Sequence, residues 1–287
     1  MYKFNNIENV SFDDLATTWN SAFSDYIVPM KMNSEDIEVY FKVTGVDRTH
    51  SYGAFYQDTL VGLLINSVDT FRGEKVAYDA MTGIVPEHRG KKLFSQLFEF
   101  TKNSLTESYI KHYYLEVITT NEKAYSIYKK KGGRVDREFT FLESNNSNSP
   151  LKYETTDPSE KKEVSVMSLS EYLLTSSMKT ELAIYEPSFA NRISALNRNI
   201  DNYQIAFAGA DKEKSAVIFN KQGVIPQILW ISKESNDSLF AVFKYLSGQF
   251  EKLRISNIPI TETQLIENLL IFGFKVLVNQ YEMSIKL

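Results

Sequence analysis

Arg89, Lys91 and Lys92 surround Gly90 where a strand-like run, Ala77–Ile84, gives way to a helix-like run beginning at Leu93. Cations are the wrong charge for a helix start, because the free N–H groups there already carry partial positive charge. They cost free energy unless an anion sits between them and the backbone amides. A glycine turn with Arg and Lys at a helix start suits a phosphate. A solvated cluster of cations is the plainer account of the same residues. Asp79 is a second chemical oddity, a carboxyl set among apolar neighbours inside a strand. Glu116 is a third; in an alternating strand it shares a face with Tyr114 and Ile118 and looks into a cleft or into solvent.

Composition narrows the chemistry. The chain has 287 residues, 43% of them hydrophobic and 24% charged, as in soluble globular proteins of one large or two ordinary domains. With no cysteine there is no disulfide, thiolate catalysis or Cys-ligated metal. His50, His88 and His112 are scattered, without the paired spacing of metal ligands, so no metal is expected. A net charge of −4 speaks against an extended nucleic-acid surface. Residues 1–8 lack the apolar core of a signal peptide, and no apolar run is long enough to span a bilayer. The expectation is a cytoplasmic protein with no membrane and no nucleic-acid partner.

The positioning elements follow from caps and periodicity. Residues 2–4 suggest a short strand. Ser11 suits the cap of a helix from Phe12 to Phe23, with Asp13 and Asp14 in its first turn and Leu15, Trp19 and Phe23 as its apolar stripe. Asn33 starts a second helix that Gly45 ends. Two alternating runs, 51–56 and 60–66, form a hairpin, and a third strand spans 75–84. A helix reaching Leu105, a strand over 113–118, a helix over 122–131 ended by Gly132-Gly133 and a strand over 139–142 complete a first unit.

Residues 143–163 are polar with two prolines and read as a linker. The remainder repeats the element order: strand 164–167, helix 171–178, a helix from Ser188, a hairpin of 203–208 with 215–220, strand 227–231, helix 237–250 and strand 253–257. A last helix, with Thr261 and Gln264 as its capping box, ends at Gly273 and leads into a strand over 281–285. Duplication of one α+β unit explains such a repeat.

That order resembles the GCN5-related N-acetyltransferase (GNAT) family over about residues 1–143, through two motifs. The family's pyrophosphate loop, Gln/Arg-Gly-x-Gly-x-Gly/Ala after Val-x-Pro, is similar to Arg89-Gly90-Lys91-Lys92-Leu93-Phe94 after Val85-Pro86. Lys92 and Phe94 stand where small residues are usual; Phe94 either faces the core or narrows the loop. The second motif, Asn-x-x-Ala-x-x-x-Tyr, is matched by Asn121-Glu122-Lys123-Ala124-Tyr125-Ser126-Ile127-Tyr128.

The resemblance implies an α+β fold, a three-layer α/β sandwich of two units. Each has a mixed, mostly antiparallel sheet flanked by helices: residues 1–143 for acetyl-CoA, a linker over 144–163, and 164–287 as a degenerate copy. It implies acetyl transfer from acetyl-CoA to a primary amine of a small molecule or protein by direct attack. Gly83, Ile84 and Val85 would pair with the pantetheine arm, and an amide near Ile84 would meet the oxyanion. The amides of Arg89, Gly90, Lys91, Lys92, Leu93 and Phe94 would hold the pyrophosphate. Asn121 would cap its helix and touch the cofactor, and Tyr128 would protonate the departing thiolate or simply pack its ring. Glu116 and Asp79 become candidate bases for the incoming ammonium, with a salt bridge as the plainer role of either. The segment carrying Asp25, Tyr26 and Met30 lies where the family receives the acceptor.

The second half has no glycine in Ile231–Asn236, its equivalent of the cofactor loop, and carries Asn268 at the tyrosine position. It reads as a copy without the cofactor that shapes the acceptor site, binds a regulator or pairs two chains as a homodimer. The competing readings are a non-catalytic CoA-sensing module and an aminoacyl-tRNA-dependent acyltransferase.

Overall fold

The computed structural model describes residues 1–25, 31–145, 163–175, 183–208, 215–230 and 236–287. The chain forms two compact units. Unit 1 comprises Met1–Val117, Glu122–Asp136 and Met283–Leu287; unit 2 comprises Ile118–Asn121 and Arg137–Glu282.

Unit 1 runs β1 (Tyr2–Asn6), α1 (Phe12–Ala22), α2 (Ser34–Thr44), β2 (Tyr52–Tyr56), β3 (Thr59–Phe71), β4 (Glu74–Ile84), α3 (Leu93–Glu107), β5 (His112–Ile118) and α4 (Glu122–Lys130). Its strands lie in the order β1-β2-β3-β4-β5, antiparallel except for the parallel β4–β5 pair. Gln57 and Asp58 both take positive φ (49° and 63°), the geometry that lets a two-residue turn follow the strands' twist. Arg72 and Gly73 (51° and 79°) do the same between β3 and β4. That turn carries β3 to Phe71, five residues beyond the expected end at Asn66.

The caps form as the residue types dictate. Ser11 accepts from the Asp14 N–H, Asn33 and Asp36 form a reciprocal capping box, and Gly45 ends α2 with φ 69°. One sheet face packs on α1 and α2 through Leu15, Trp19, Ile37, Phe41, Leu63, Ile65 and Met81. Leu93, Leu97, Phe98 and Tyr113 are also buried in this unit, and Phe98 meets Tyr113 edge-on at 5.5 Å.

β6 (Arg134–Asn145) leads into unit 2, followed by β7 (Val164–Ser168), α5 (Leu169–Thr175), α6 (Ile193–Leu196) between two 3-10 turns, β8 (Tyr203–Ala208), β9 (Ser215–Asn220), β10 (Val224–Ile225), β11 (Gln227–Trp230), α7 (Asp237–Ser247), β12 (Lys252–Pro259), α8 (Thr263–Phe272) and β13 (Lys275–Lys286). Within it β6, β12 and β10 are neighbours, and β11-β9-β8-β7 forms a second sheet. The core gathers Leu142, Val217, Ile228, Leu239, Phe243, Ile255, Leu265 and Phe272.

Two expectations differ from this structure. A first domain ending at residue 143, closed by 139–142, contrasts with a chain that leaves unit 1 at Asp136 and returns with its last five residues, Met283–Leu287. Leu287 N–H donates to the Lys111 carbonyl at 2.9 Å. Adjacency in sequence is the usual guide to neighbours, and here a distant strand end fills the place. The proposed capping box of Thr261 with Gln264 does not form: α8 starts at Thr263 with Glu262 at the cap and no side-chain cap bond. The linker's residues 146–162, the end of the helix expected over 171–178 and residues 231–235 of the second-half join lie outside the described residues.

Candidate active site

β3 and β4 pair with a one-residue slip: Ile65 opposes Met81 and Asn66 opposes Asp79, so Ala80 is an extra residue on β4. In an unbroken strand residues 79 and 82 point to opposite faces; the bulge returns them to one face. Thr82 Oγ1 accordingly lies 2.9 and 2.8 Å from the two carboxylate oxygens of Asp79 and donates to them. The Tyr40 hydroxyl, from α2, donates to the Ala80 carbonyl at 2.7 Å, anchoring the bulged residue.

β4 pairs with β5 from Val76 to Tyr78 against His112 to Tyr114, and Asp79–Ile84 runs on past the last pair, so the two strands part. From α4, Tyr128 reaches this region and donates its hydroxyl to Asp79 Oδ2 at 2.8 Å. Its ring is met edge-on by Phe94 at 5.6 Å and Phe98 at 6.4 Å. Phe94 also stacks on Phe98 at 5.8 Å, so it packs inward against the tyrosine.

Burial dominates the electrostatics of the cluster. It raises the Asp79 carboxyl to about 6, against the opposing pull of hydrogen bonds from Thr82 and Tyr128. Burial and then the Asp79 charge hold the Tyr128 and Tyr113 phenols well above their usual value. The Tyr113 hydroxyl donates to Asn66 Oδ1 at 3.0 Å.

The loop after β4 is fastened at several points. Val85 N–H donates to the Val61 carbonyl at 3.0 Å. Arg89 donates from Nε to the Ile84 carbonyl at 2.9 Å and from Nη2 to the Ala22 carbonyl at 2.8 Å. Its two Nη atoms grip Asp25 at 2.6 and 3.0 Å, and this fork draws the Asp25 carboxyl below its usual range. The Arg89 side chain thus clamps the end of α1 to the end of β4. Gly83 serves the same packing: a Cβ there would stand 3.0 Å from Ala22 Cβ and 3.1 Å from the Phe23 ring.

Gly90 has φ 75° with open space where a Cβ would point. Lys92 adopts φ 58° and ψ 18°, a left-handed conformation that glycine takes up more readily, and stands at the cap of α3. Among the described residues no side chain caps α3, and its first turn, from Leu93, holds no acid. Lys91 Nζ donates to the Glu87 carbonyl at 2.9 Å.

The structure therefore brings Asp79, Tyr128 and Phe94 together and, separately, Arg89 and Asp25. Glu116 lies elsewhere: Tyr114 pairs with Tyr78 and Tyr113 with Ala77, so alternation puts Glu116 on the face opposite Asp79. Asn121, whose N–H donates to the Ile118 carbonyl at 2.8 Å, falls in unit 2. Tyr26 and Met30 lie outside the described residues. Sequence reading missed Thr82, Tyr40 and the Tyr113–Asn66 pair. Strand alternation assigns Thr82 to the wrong face until the bulge is known, and nothing local in Met81 or Ala80 announces it.

The comparisons follow the same lines. Residues 12–133 match the family model described as acetyltransferase (GNAT) family. No curated protein matches the chain by sequence. Among solved structures, the chain is similar to a putative acetyltransferase from Pyrococcus horikoshii (TM-score 0.64, 13% identity, 100% of this chain and 89% of that one). A GCN5-related N-acetyltransferase from Sphaerobacter thermophilus gives a TM-score of 0.67 at 10% identity over 99% of this chain and 95% of that one. A tandem GNAT protein from the clavulanic acid biosynthesis pathway gives 0.67 at 10% identity over 100% and 98%. At these identities the likeness is one of fold: the chain has the mixed α+β architecture of tandem GNAT proteins. No helix among the described residues is long and apolar enough to cross a membrane.

Proposed function

We propose, from the premise that residues 12–133 belong to the GNAT acetyltransferase family, that this chain is an acetyl-CoA-dependent N-acetyltransferase acting on a primary amine of a small molecule or protein. Family membership supports an acyl-CoA acyltransferase in general. What carries the reading to this site is the parting of β4 from β5 beside an uncapped helix start with Lys91 and Lys92 before it.

These residues fit the acyl donor. Past Tyr78 the β4 edge runs on without β5, the arrangement that accepts an extended ligand as an added strand. The amides from Gly90 to Phe94 suit a diphosphate, with Lys91 and Lys92 adding charge. Arg89 contributes by fixing the loop, since its guanidinium is committed to Asp25, Ala22 and Ile84. Acetyl-CoA would supply an activated acetyl thioester. Tyr128 is the chain's proton donor for the leaving sulfur, although burial and the Asp79 charge hold its phenol well above the usual value, so the transfer needs help from its neighbours. Glu116, on the other sheet face, is the better placed of the two carboxylates to serve an acceptor that does not share the Tyr128 side.

Calorimetric titration of acetyl-CoA into the full chain tests the first step. One binding event with a rise in melting temperature is expected. No heat and no thermal shift would overturn the cofactor assignment. Thiol release over a panel of primary amines then tests the second, and binding without turnover on any of them would favour a non-catalytic CoA-sensing module.

A further inference from the structure

Tyr128 is a poor acid as it stands. Burial and the neighbouring carboxylate both hold its proton on, and giving that proton away would leave a phenolate 2.8 Å from Asp79. Two adjacent buried negative charges are the least favourable state this site can reach. A proton on Asp79 removes the conflict, because a carboxylic acid can donate to the phenolate it faces.

We propose that Asp79 is the positioning residue for Tyr128: its carboxyl aims the phenol hydroxyl and resupplies the proton that the phenol gives up. The inference rests on the acyltransferase reading and reassigns Asp79 from a candidate base for the amine to the partner of the acid. The β4 bulge is the device that makes it possible. With Ala80 looped out, Thr82 joins Asp79 on the Tyr128 side and fixes both carboxyl oxygens. Phe94 and Phe98 close over the phenol ring and leave its oxygen directed at the carboxyl.

The proton count closes. As the carbon–sulfur bond breaks, its electron pair stays on sulfur, and the Tyr128 proton passes to it. The Asp79 proton passes to the Tyr128 oxygen, leaving the charge on the carboxylate. The acceptor enters as the free amine, after its ammonium has lost one proton to solvent. It forms the carbon–nitrogen bond and releases a second proton as the amide forms, and Asp79 takes one proton back from solvent. The titratable groups facing Asp79 are Tyr128 from α4, Tyr113 from β5 and Tyr40 from α2, all of them phenols held protonated by burial. Asp79 is thus the one member of the cluster that changes charge near neutrality.

Carboxyl carbon NMR of the chain with labelled aspartate reads the coupling without any turnover. Asp79 is expected to titrate near pH 6, and Tyr128→Phe should move its midpoint upward by removing a donor to the carboxylate. A midpoint in the ordinary carboxylate range, or one that Tyr128→Phe leaves in place, overturns the proposal. Thiol-release kinetics separate aiming from resupply. Asn at position 79 still accepts the phenol's hydrogen bond but has no proton to pass on, so Asp79→Asn and Asp79→Ala should both lower kcat by at least ten-fold. Acetyl-CoA affinity should stay within two-fold. Because the relay needs a protonated Asp79, the rate of the unaltered chain should fall as pH rises through about 6, and that fall should disappear in both variants. Full turnover in Asp79→Asn would overturn the relay. If the unaltered chain binds no acetyl-CoA, the acyltransferase reading fails while the NMR coupling stands or falls independently.

Discussion

The head of α3 in unit 1 and the head of α7 in unit 2 occupy the same place in the same order of elements, and they are finished in opposite ways. α3 begins at a lysine in left-handed conformation, with no acid in its first turn. α7 begins with buried Asp237, a negative charge where the helix dipole favours one. Ahead of it Asn236 Nδ2 donates to Asn268 Oδ1 at 2.8 Å, so the residue at the tyrosine position of α8 ties one helix to another. The strand gap differs in the same sense. β10 and β12 pair over two residues and part, but Asn191 spans the opening. Its Nδ2 donates to the Ser256 carbonyl at 3.0 Å, and its own carbonyl accepts from Gln227 Nε2 at 2.7 Å. Among the described residues neither helix has a side-chain cap, but α7 carries an acid in its first turn and Asn191 bridges the strand opening beside it, whereas α3 has no acid there and the β4 edge runs on past β5. The order of elements is common to both, and the side chains at these two features are where the units differ.

The strongest way to break this comparison is at the equivalent residues of α4 and α8. Tyr128→Phe keeps the ring packed against Phe94 and removes the hydroxyl. We expect a loss on the order of 100-fold in kcat, the usual scale for a general acid, with acetyl-CoA affinity unchanged. Asn268→Ala should leave the rate alone. Equal effects, or full turnover in Tyr128→Phe, would mean that the tyrosine is packing material in unit 1 as the asparagine is in unit 2.

Stability sharpens the contrast at a smaller scale. Asn191→Ala leaves the buried Ser256 carbonyl and hydroxyl without their Asn191 partner, which should cost about 2 kcal/mol. Denaturant unfolding would show it as a lower midpoint, while calorimetry should find acetyl-CoA binding intact. A loss of binding instead would place the cofactor in unit 2.

Much of unit 1 was legible because its signals are local. Ser11, Asn33 and Gly45 bracket two helices, and the alternation of residues 51–56 and 60–66 marks a hairpin. The two motifs located the loop and Tyr128. The illegible parts all depend on partners far along the chain. Arg89 was read toward a phosphate, yet its guanidinium is held by Asp25 and Ala22, more than sixty residues earlier. Asp79 stood out as a carboxyl in an apolar strand, but its partners Thr82 and Tyr128 depend on a bulge and on a helix 49 positions away. The exchange of strand ends between the units is invisible to any reading that closes each unit with its own next strand.

The smallest test concerns Lys92. A left-handed conformation costs a non-glycine residue roughly 1–2 kcal/mol, and glycine loses part of that advantage through its greater freedom when unfolded, about 0.5–1 kcal/mol. Lys92→Gly should therefore stabilise the chain by about 0.5–1 kcal/mol, seen as a small rise in melting temperature. Asn236, at the cap of α7, is right-handed (φ −87°, ψ −6°) and bonded to Asn268. There the same change relieves nothing and removes a hydrogen bond, so Asn236→Gly should lower the melting temperature. Opposite signs would show that the α3 loop keeps a glycine-like backbone under strain for the sake of a lysine charge. If Lys92→Gly also weakened acetyl-CoA binding, charge rather than close backbone approach would be what this loop offers the diphosphate. Matching signs at the two positions would remove strain as a distinction between the helix heads.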